Sequence, residues 1–282
     1  MHAQREYKFK DGKTLTIGKR TLVMGILNVT PDSFSDGGKW NTIDNALRHM
    51  EDMVKNGADI IDIGAESSRP GFVTMPAEEE IARLMPFLEK VVKNSPVPVS
   101  VDTFKAATAR AALKAGAHIL NDIWGLQYAA EPNEMARVAA EFDAPIVVMH
   151  NQEGTAYPDG IIEGVQEFFR NSIKIADAAG LKRENIILDV GVGFGKDVEG
   201  NLAVQRNLDK LLTIDGMTYP MLLGTSRKSF IGKTMDLPVE ERMEATGASC
   251  VVGIMKGADI VRVHDVLPIA RMCRMTDIIL GR

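Results

Sequence analysis

The sequence predicts an α/β fold, a (β/α)8 TIM barrel with an N-terminal β-hairpin, as a single domain over residues 1–282. Short segments rich in Val, Ile and Leu alternate eight times with helical stretches, which is the pattern of parallel strands covered by helices. A Gly-Ala-Asp or Gly-Ala-His step precedes three of these segments. The chain length also fits one such barrel, which takes about 250 residues.

A β-hairpin is predicted over residues 7–17, because alternating apolar residues flank an Asp11-Gly12 turn. We expect it to cover the bottom of the barrel. The barrel strands are then predicted at 21–28, 59–64, 97–102, 118–122, 145–150, 186–190, 220–225 and 259–264. The helices are predicted at 42–56, 76–93, 104–115, 132–142, 161–179, 200–212, 240–256 and 266–279.

The repeated step lies at residues 57–59, 116–118 and 257–259, each time between a helix and a strand. The Gly stands where a helix ends and φ is often positive. The spacing of the copies fits whole strand–helix units, which supports a barrel rather than an open sheet.

Composition excludes several classes of function. The net charge of −5 gives no basic surplus for nucleic acid or an anionic membrane. Cys250 and Cys273 lie in apolar stretches without metal-ligand spacing, so we expect buried thiols and no zinc site. The sequence shows no apolar signal core and no run long enough to span a bilayer, which favours a cytoplasmic protein.

Polar residues end the predicted strands, and the carboxyl ends of barrel strands carry the active site. We expect these residues to face a shared cavity, since charged groups at the ends of packed apolar strands are otherwise costly. The row comprises Asn28, Glu66 to Arg69, Asp102, Asn121-Asp122, Met149-His150, Asp189, Ser226 to Lys228, Arg262 and His264. Asp62, Asp122 and Asp265 are interpreted as turn formers or helix caps.

The row contains a group of acceptors. Asp102, Asn121 and Asp189 suit the donor-rich edge of a nitrogen heterocycle such as an aminopyrimidinone. A neutral sugar or a fatty acid would not need two carboxylates.

The cations of the row suit a different ligand group. Lys228, Arg262, His264 and Arg69 favour a phosphate or diphosphate. Asn28 offers a neutral oxygen ligand that could help to hold Mg²⁺ on that anion.

Two long loops, 29–39 and 66–74, are predicted to close over the site. Phe34 and Phe72 are apolar tips in these polar loops, which favours closure on a flat or apolar ligand. The glycines of 191–195 follow a barrel strand rather than opening a dinucleotide-binding unit, so we expect close approach of the backbone to a bound ring.

The chain resembles the dihydropteroate synthase family of folate biosynthesis over residues 24–265. The motifs are GILNVTPDSFSDGG at 25–38, DIGAESSRPG at 62–71, SVDTFK at 100–105, NDI at 121–123, MH at 149–150, LDVGVGFGK at 188–196, GTSRKSFIG at 224–232 and RVHD at 262–265. The resemblance implies that 6-hydroxymethyl-7,8-dihydropterin diphosphate and p-aminobenzoate condense to 7,8-dihydropteroate and diphosphate, with Mg²⁺. It also implies a homodimer through the later helices and sensitivity to sulfonamides, whereas the composition argues against a nucleic-acid or membrane partner.

The resemblance also implies roles for individual residues. Asp102, Asn121 and Asp189 would hold the pterin edge, with Met149 and Phe194 near the ring, Lys228 bonded to it and Arg262 over its face. Asn28, Arg262 and His264 would hold the diphosphate and Mg²⁺. Phe34, Ser68, Arg69, Pro70 and Ser229 would form the p-aminobenzoate pocket.

Asp36, Lys228 and Arg262 are the expected catalytic residues. Asp36 would stabilise the cationic pterin methylene left by diphosphate departure, which the arylamine then attacks.

Two departures from the family pattern concern Ser68, where Thr is usual, and Val190, where Pro is common. We expect Ser68 to alter affinity for the aromatic substrate slightly. The alternatives are a pterin-binding methyltransferase domain and a catalytically silent pterin-binding paralogue, although both loop motifs, Arg262 and His264 are retained.

Overall fold

A closed barrel of eight parallel strands forms the structure, a computed structural model that describes residues 4–30, 39–66 and 74–282. The strands are β3 (Leu22–Asn28), β4 (Ile60–Gly64), β5 (Val99–Asp102), β6 (Ile119–Asp122), β7 (Ile146–Met149), β8 (Ile186–Asp189), β11 (Met221–Leu223) and β12 (Ile260–Val263). They pair in that order, and β12 returns to β3. The predicted (β/α)8 fold is confirmed.

Helices cover the outside of this barrel, because alternate strand residues face outwards and need apolar partners. They are α1 (Lys39–Lys55), α2 (Ala77–Asn94), α3 (Ala106–Lys114), α4 (Glu134–Phe142), α5 (Ile161–Ala178), α6 (Val198–Arg206), α7 (Ser229–Met235), α8 (Met243–Met255) and α9 (Val266–Leu280). The described part of the chain contains no helix long and apolar enough to cross a membrane.

The predicted helix boundaries are wrong in two regions, and α7 is a helix that was not among those predicted. The helix predicted to run to residue 212 ends at Arg206, and a short hairpin of β9 (Thr213–Ile214) and β10 (Met217–Thr218) follows. The stretch predicted as one helix over 240–256 starts with a 3₁₀ turn at Val239–Glu241, before α8. Local turn formation replaces regular helix at these ends.

The N-terminal hairpin joins β1 (Arg5–Lys8) to β2 (Thr14–Ile17). Tyr7, Leu15 and Ile17 are buried against the inward-facing side chains at the amino ends of the barrel strands. The predicted cover of the barrel bottom is therefore confirmed.

The three repeated Gly-Ala-Asp/His steps have the same conformation and make the same kind of hydrogen bond. Gly57, Gly116 and Gly257 have φ near +100°, at +104°, +99° and +103°. The next polar residue then accepts an N–H from the preceding barrel strand: Asp59 from Val23 at 3.0 Å, His118 from Val99 at 3.0 Å, and Asp259 from Met221 at 3.1 Å. The repeat thus fixes the start of one strand against its neighbour.

Both cysteine thiols are buried and free, as expected. Burial raises the pKa of Cys250 to about 11, which keeps it protonated and unreactive.

Candidate active site

Polar side chains occupy the inward-facing positions at the carboxyl end of the barrel. In β4, Ile60 faces the interior while Ile61 and Ile63 face the helices, so Asp62 faces inwards again. The same alternation in β12 turns Arg262 inwards, two residues after Ile260. Apolar inward positions near the barrel bottom therefore give way to polar ones at the top.

A cavity at this end contains most of the predicted site residues. It is lined by Ile26, Asp102, Asn121, Ile123, Met149, Asp189, Val192, Phe194, Gly224, Ser226, Lys228, Arg262 and His264. Residues from distant parts of the sequence thus meet in one place, as predicted.

Two other described residues to which the resemblance gives a ligand-binding role lie outside that lining. Asn28 ends β3 with an exposed side chain, and Ser229 is the exposed first residue of α7. Their roles toward Mg²⁺ and p-aminobenzoate stay predictions. The remaining predicted residues, Phe34, Asp36, Ser68, Arg69 and Pro70, lie outside the described residues, as does Phe72.

Arg262 forms two ion pairs in the cavity. Its Nε donates to Asp62 Oδ2 at 2.6 Å, and its Nη2 donates to Asp102 Oδ2 at 2.8 Å. Burial lowers the pKa of Arg262, but the two carboxylates outweigh this and raise it above its ordinary value. Burial raises the pKa of Asp102 to about 7, although Arg262 opposes the shift. The guanidinium is therefore a permanent charge fixed by two acceptors.

The interpretation of Asp62 as a turn former or cap is wrong. Asp62 lies in the middle of β4, is fully buried, and accepts hydrogen bonds from Arg262 and from Asn121 Nδ2, the latter at 3.0 Å. The inward alternation of β4 is the sequence signal that could have revealed it.

The same interpretation is confirmed for Asp122. Its carboxylate accepts the backbone N–H of Trp124 at 2.9 Å and of Leu126 at 2.7 Å, which closes the turn after β6. Asp265 stands at the start of α9 but makes no side-chain cap bond. Its two oxygens instead accept from Nε and Nη2 of Arg227, so the cap interpretation is wrong there.

Asp189 is held by its own loop. Its Oδ1 accepts the Gly191 N–H at 2.8 Å, and the carboxylate is buried at the end of β8. Burial raises its pKa, while that bond and the nearby Lys228 oppose the shift. The carboxylate lacks a directly bonded cation among the described residues, so it can accept hydrogen bonds from a ligand.

Lys228 lies over an aromatic face. Its Nζ is 4.0 Å from the centre of the Phe194 ring, a cation–π contact. Burial lowers the pKa of Lys228 to about 8, although Asp189 opposes the shift. A flat ligand in the cavity would therefore meet an aromatic ring and a donor on the same wall.

The glycine-rich segment 191–195, which carries Phe194, has a tight backbone conformation. Gly191 and Gly193 have φ of +64° and +86°, and a Cβ at Gly191 would lie 1.8 Å from the His150 carbonyl oxygen. Glycine is required here by contact with the protein itself. The expected approach to a bound ring stays a prediction.

Sequence reasoning missed Lys196, which forms hydrogen bonds with the backbone of segment 191–195. Its buried ammonium bonds His150 Nδ1 at 2.8 Å, the Gly191 carbonyl at 3.0 Å and the Phe194 carbonyl at 2.9 Å. Burial lowers the pKa of Lys196 to about 7 and that of His150 far below its ordinary value. A lysine after a glycine-rich segment gives no pattern by which this partner set could be predicted.

His264 is placed by Ser226. The Ser226 hydroxyl lies 3.0 Å from His264 Nδ1 and also accepts the His264 backbone N–H at 3.2 Å. This links the ends of β11 and β12, where an anion could meet Arg262, Lys228 and His264 together.

Glu66 belongs to a different cluster, at the start of the second predicted loop. Its carboxylate accepts the Met75 N–H at 2.8 Å and pairs with buried Lys105, which also bonds Glu80 at 3.0 Å. Glu66 therefore joins the two ends of the loop to α3 rather than lining the cavity.

This barrel, with carboxylate and amide acceptors and two cationic side chains lining one cavity, has the character of a pterin-binding enzyme. A family model described as pterin binding enzyme matches residues 24–264. Two curated relatives are the dihydropteroate synthases of Clostridium beijerinckii, 51% identical over 96% of this chain and 98% of the relative, and of Bacillus subtilis, 52% identical over 95% and 92%. The chain belongs to the dihydropteroate synthase family.

A solved structure agrees with that membership. It is a dihydropteroate synthase of Clostridium difficile determined in the presence of pteroic acid, 49% identical and with a TM-score of 0.89. The match covers 94% of this chain and 99% of that one.

Proposed function

We propose that the protein condenses 6-hydroxymethyl-7,8-dihydropterin diphosphate with p-aminobenzoate, giving 7,8-dihydropteroate and diphosphate in folate biosynthesis. One observation carries the proposal: buried acceptors and a fixed guanidinium share one cavity at the carboxyl end of the barrel. Asp102, Asn121 and Asp189 suit the N–H groups of the pterin, and Lys228, Arg262 and His264 suit the diphosphate. The relatives' shared activity supports the same reaction.

The proposed chemistry needs no nucleophile from the protein. The C–O bond to diphosphate breaks, and both electrons leave with the diphosphate oxygen. The amine nitrogen of p-aminobenzoate then attacks the cationic methylene carbon and afterwards loses a proton. Arg262 and Lys228 stabilise the departing charge, since fixed cations where negative charge develops lower the barrier.

Residues outside the described ranges complete the proposal. Asp36 would stabilise the cationic methylene, and Phe34, Ser68, Arg69 and Pro70 would form the pocket for the arylamine together with Ser229. These roles rest on the motifs in which the residues occur.

Mg²⁺ is proposed to arrive with the diphosphate. No group of three or more His, Cys, Asp or Glu side chains in the described ranges is arranged to hold a metal. The exposed carboxamide of Asn28 fits a single ligand, with diphosphate oxygens and water supplying the others, which is how Mg²⁺ is commonly bound. When bound, the ion would neutralise diphosphate charge.

The test is diphosphate release that requires the amine. The protein is mixed with the pterin diphosphate and Mg²⁺, with or without p-aminobenzoate, and diphosphate is measured. We expect release with the amine and little without it, and loss of release when a chelator removes Mg²⁺. Binding of the pterin without any release would instead support a silent paralogue, and the reaction would be rejected.

We also propose a homodimer through α8 and α9, which pack against each other. Their outer faces expose Val252, Met255, Met275, Ile278 and Ile279, with Ile279 72% exposed. A contiguous exposed apolar face is typical of an interface, and a twofold axis pairs one such face with itself.

Light scattering after size exclusion tests the dimer. Ile279→Asp should give a monomer, because a carboxylate would be buried without a partner. Met235→Asp is the control, since Met235 is also exposed but lies on α7. A monomeric unsubstituted protein would reject the proposal. The cytoplasmic location stays a prediction from the sequence.

A further inference from the structure

Asp62 is a buried carboxylate that contacts two residues of the cavity. It accepts from Asn121 Nδ2 at 3.0 Å and from Arg262 Nε at 2.6 Å, both through Oδ2. It is absent from the cavity lining itself and is fully buried. Any effect on a ligand must therefore pass through these two neighbours.

The contact with Asn121 fixes which way the amide points. An ionised carboxylate can only accept hydrogen bonds, so the amide nitrogen must face Asp62. The amide oxygen is then left for the cavity, which Asn121 lines. Without Asp62 the amide could rotate and present a donor to the N–H groups of a pterin, which would oppose binding.

The contact with Arg262 fixes the guanidinium. Asp62 takes Nε and Asp102 takes Nη2, so the plane is held at two points from neighbouring strands β4 and β5. Two acceptors on one planar fork define its orientation as well as its position.

We propose that Asp62 is a positioning residue for pterin recognition, which keeps Asn121 as an acceptor toward the cavity and holds Arg262 beside it. The inference rests on the pterin specificity of the proposed function. It concerns a residue that the sequence pattern had suggested was only a turn former.

The first test compares Asp62→Asn with Asp122→Asn. Both are fully buried aspartates of barrel strands, Asp62 in β4 and Asp122 in β6, but Asp122 bonds only backbone N–H groups among the described residues. Binding of 6-hydroxymethylpterin is measured by calorimetry, and folding by circular dichroism. We expect Asp62→Asn to weaken pterin binding at least tenfold, because an amide at position 62 lacks the charge that holds Arg262 and can donate to the Asn121 oxygen, which frees that amide to turn. Asp122→Asn should change pterin binding less than threefold.

A split in the kinetic constants separates positioning from general damage. With saturating pterin diphosphate, the KM for p-aminobenzoate in Asp62→Asn should stay within about twofold of the unsubstituted value, because the proposed arylamine pocket does not include Asn121. Equal pterin affinity in Asp62→Asn and the unsubstituted protein would overturn the inference.

An exchange variant, Asp62→Asn with Asn121→Asp, tests the orientation itself. Residue 121 would then be a carboxylate, an acceptor in every rotamer, while the amide–carboxylate pair and the total charge are kept. We expect pterin binding to return to within tenfold of the unsubstituted protein. An exchange variant that folds but binds no better than Asp62→Asn would contradict the inference.

If Asp62→Asn does not fold, the exchange variant alone decides, because it retains the buried pair. Failure of the proposed function is distinguishable from failure of this inference. In the first case the unsubstituted protein neither binds the pterin nor releases diphosphate; in the second it does both, and the variants behave as it does.

Discussion

The structural role of a buried polar side chain in this protein depends on how many hydrogen bonds it can form. Lys196 shows this most clearly, because an ammonium has three N–H donors and the structure offers three acceptors: His150 Nδ1 and the carbonyls of Gly191 and Phe194. His150 must keep Nδ1 unprotonated to accept, and its lowered pKa agrees with a neutral ring. The segment that carries Phe194 to the cavity is thus built around one buried lysine.

Lys196→Met should lower the free energy of unfolding by about 3 kcal/mol or more, since each buried acceptor left without a donor costs roughly 1–3 kcal/mol. Urea unfolding measures the loss, and pterin affinity should fall with it because Phe194 is no longer held. Lys182→Met serves as the control: the exposed Lys182–Asp143 pair should contribute at most about 1 kcal/mol. Equal stability of Lys196→Met and the unsubstituted protein would show that the three bonds contribute nothing net.

At the scale of the elements, one of the three Gly-Ala-Asp/His steps that precede barrel strands contains a side chain whose hydrogen bond depends on pH. Asp59 and Asp259 accept a strand N–H with a carboxylate, whereas His118 accepts the Val99 N–H with Nδ1. A protonated imidazole cannot accept that bond. Burial lowers the pKa of His118 below its ordinary value, although its contact with Asp11 opposes the shift.

The sign of the pH effect follows from that direction. The unfolded chain binds a proton near the ordinary pKa of 6.5, and folded His118 binds it only at lower pH. Stability is therefore retained above pH 6.5 and falls as the pH drops from there toward the folded pKa. His118→Asn keeps an acceptor that does not titrate, so urea unfolding at pH 7.5 and 5.0 should show a smaller loss than in the unsubstituted protein.

His49→Asn is the control for that comparison, because His49 is exposed on α1. Its loss of stability on acidification should match that of the unsubstituted protein. If His118→Asn also matches, the imidazole contributes nothing to the acid sensitivity.

On the scale of the whole molecule, the two ends of the barrel have separate tasks. The N-terminal hairpin buries Tyr7, Leu15 and Ile17 against the apolar lower interior. The polar cavity lies at the opposite end. Separation of stability and chemistry along the barrel axis is general to this architecture.

Ile17→Ala tests that separation. Ile17 is fully buried, and removing a buried Ile side chain to Ala costs about 2–5 kcal/mol. The unfolding free energy should fall by that amount, while kcat and both KM values measured well below the unfolding transition should stay within about twofold. Thr16→Ala, on the same strand with a half-buried side chain, should change stability little. A large loss of kcat in folded Ile17→Ala would show that the two ends are coupled.

The sequence determined much of this protein by itself, because the deciding signals are local. Eight apolar strand segments alternating with helices predicted the barrel, and alternation around the Asp11-Gly12 turn predicted the hairpin. The strand ends predicted Asp102, Asn121, Asp189 and Arg262 as neighbours. These features depend on the conformation of a few adjacent residues and on the general geometry of a parallel barrel.

Only the tertiary structure decided which polar side chains form hydrogen bonds with each other. Asp62 and Arg262 are 200 residues apart, and only barrel closure brings their side chains to 2.6 Å. Asp62 and Asp122 are both aspartates of barrel strands, yet one accepts hydrogen bonds from two cavity residues and the other closes a turn. A short polar side chain takes its role from whichever donor the fold places within about 3 Å, and that distance is set by packing rather than by sequence spacing.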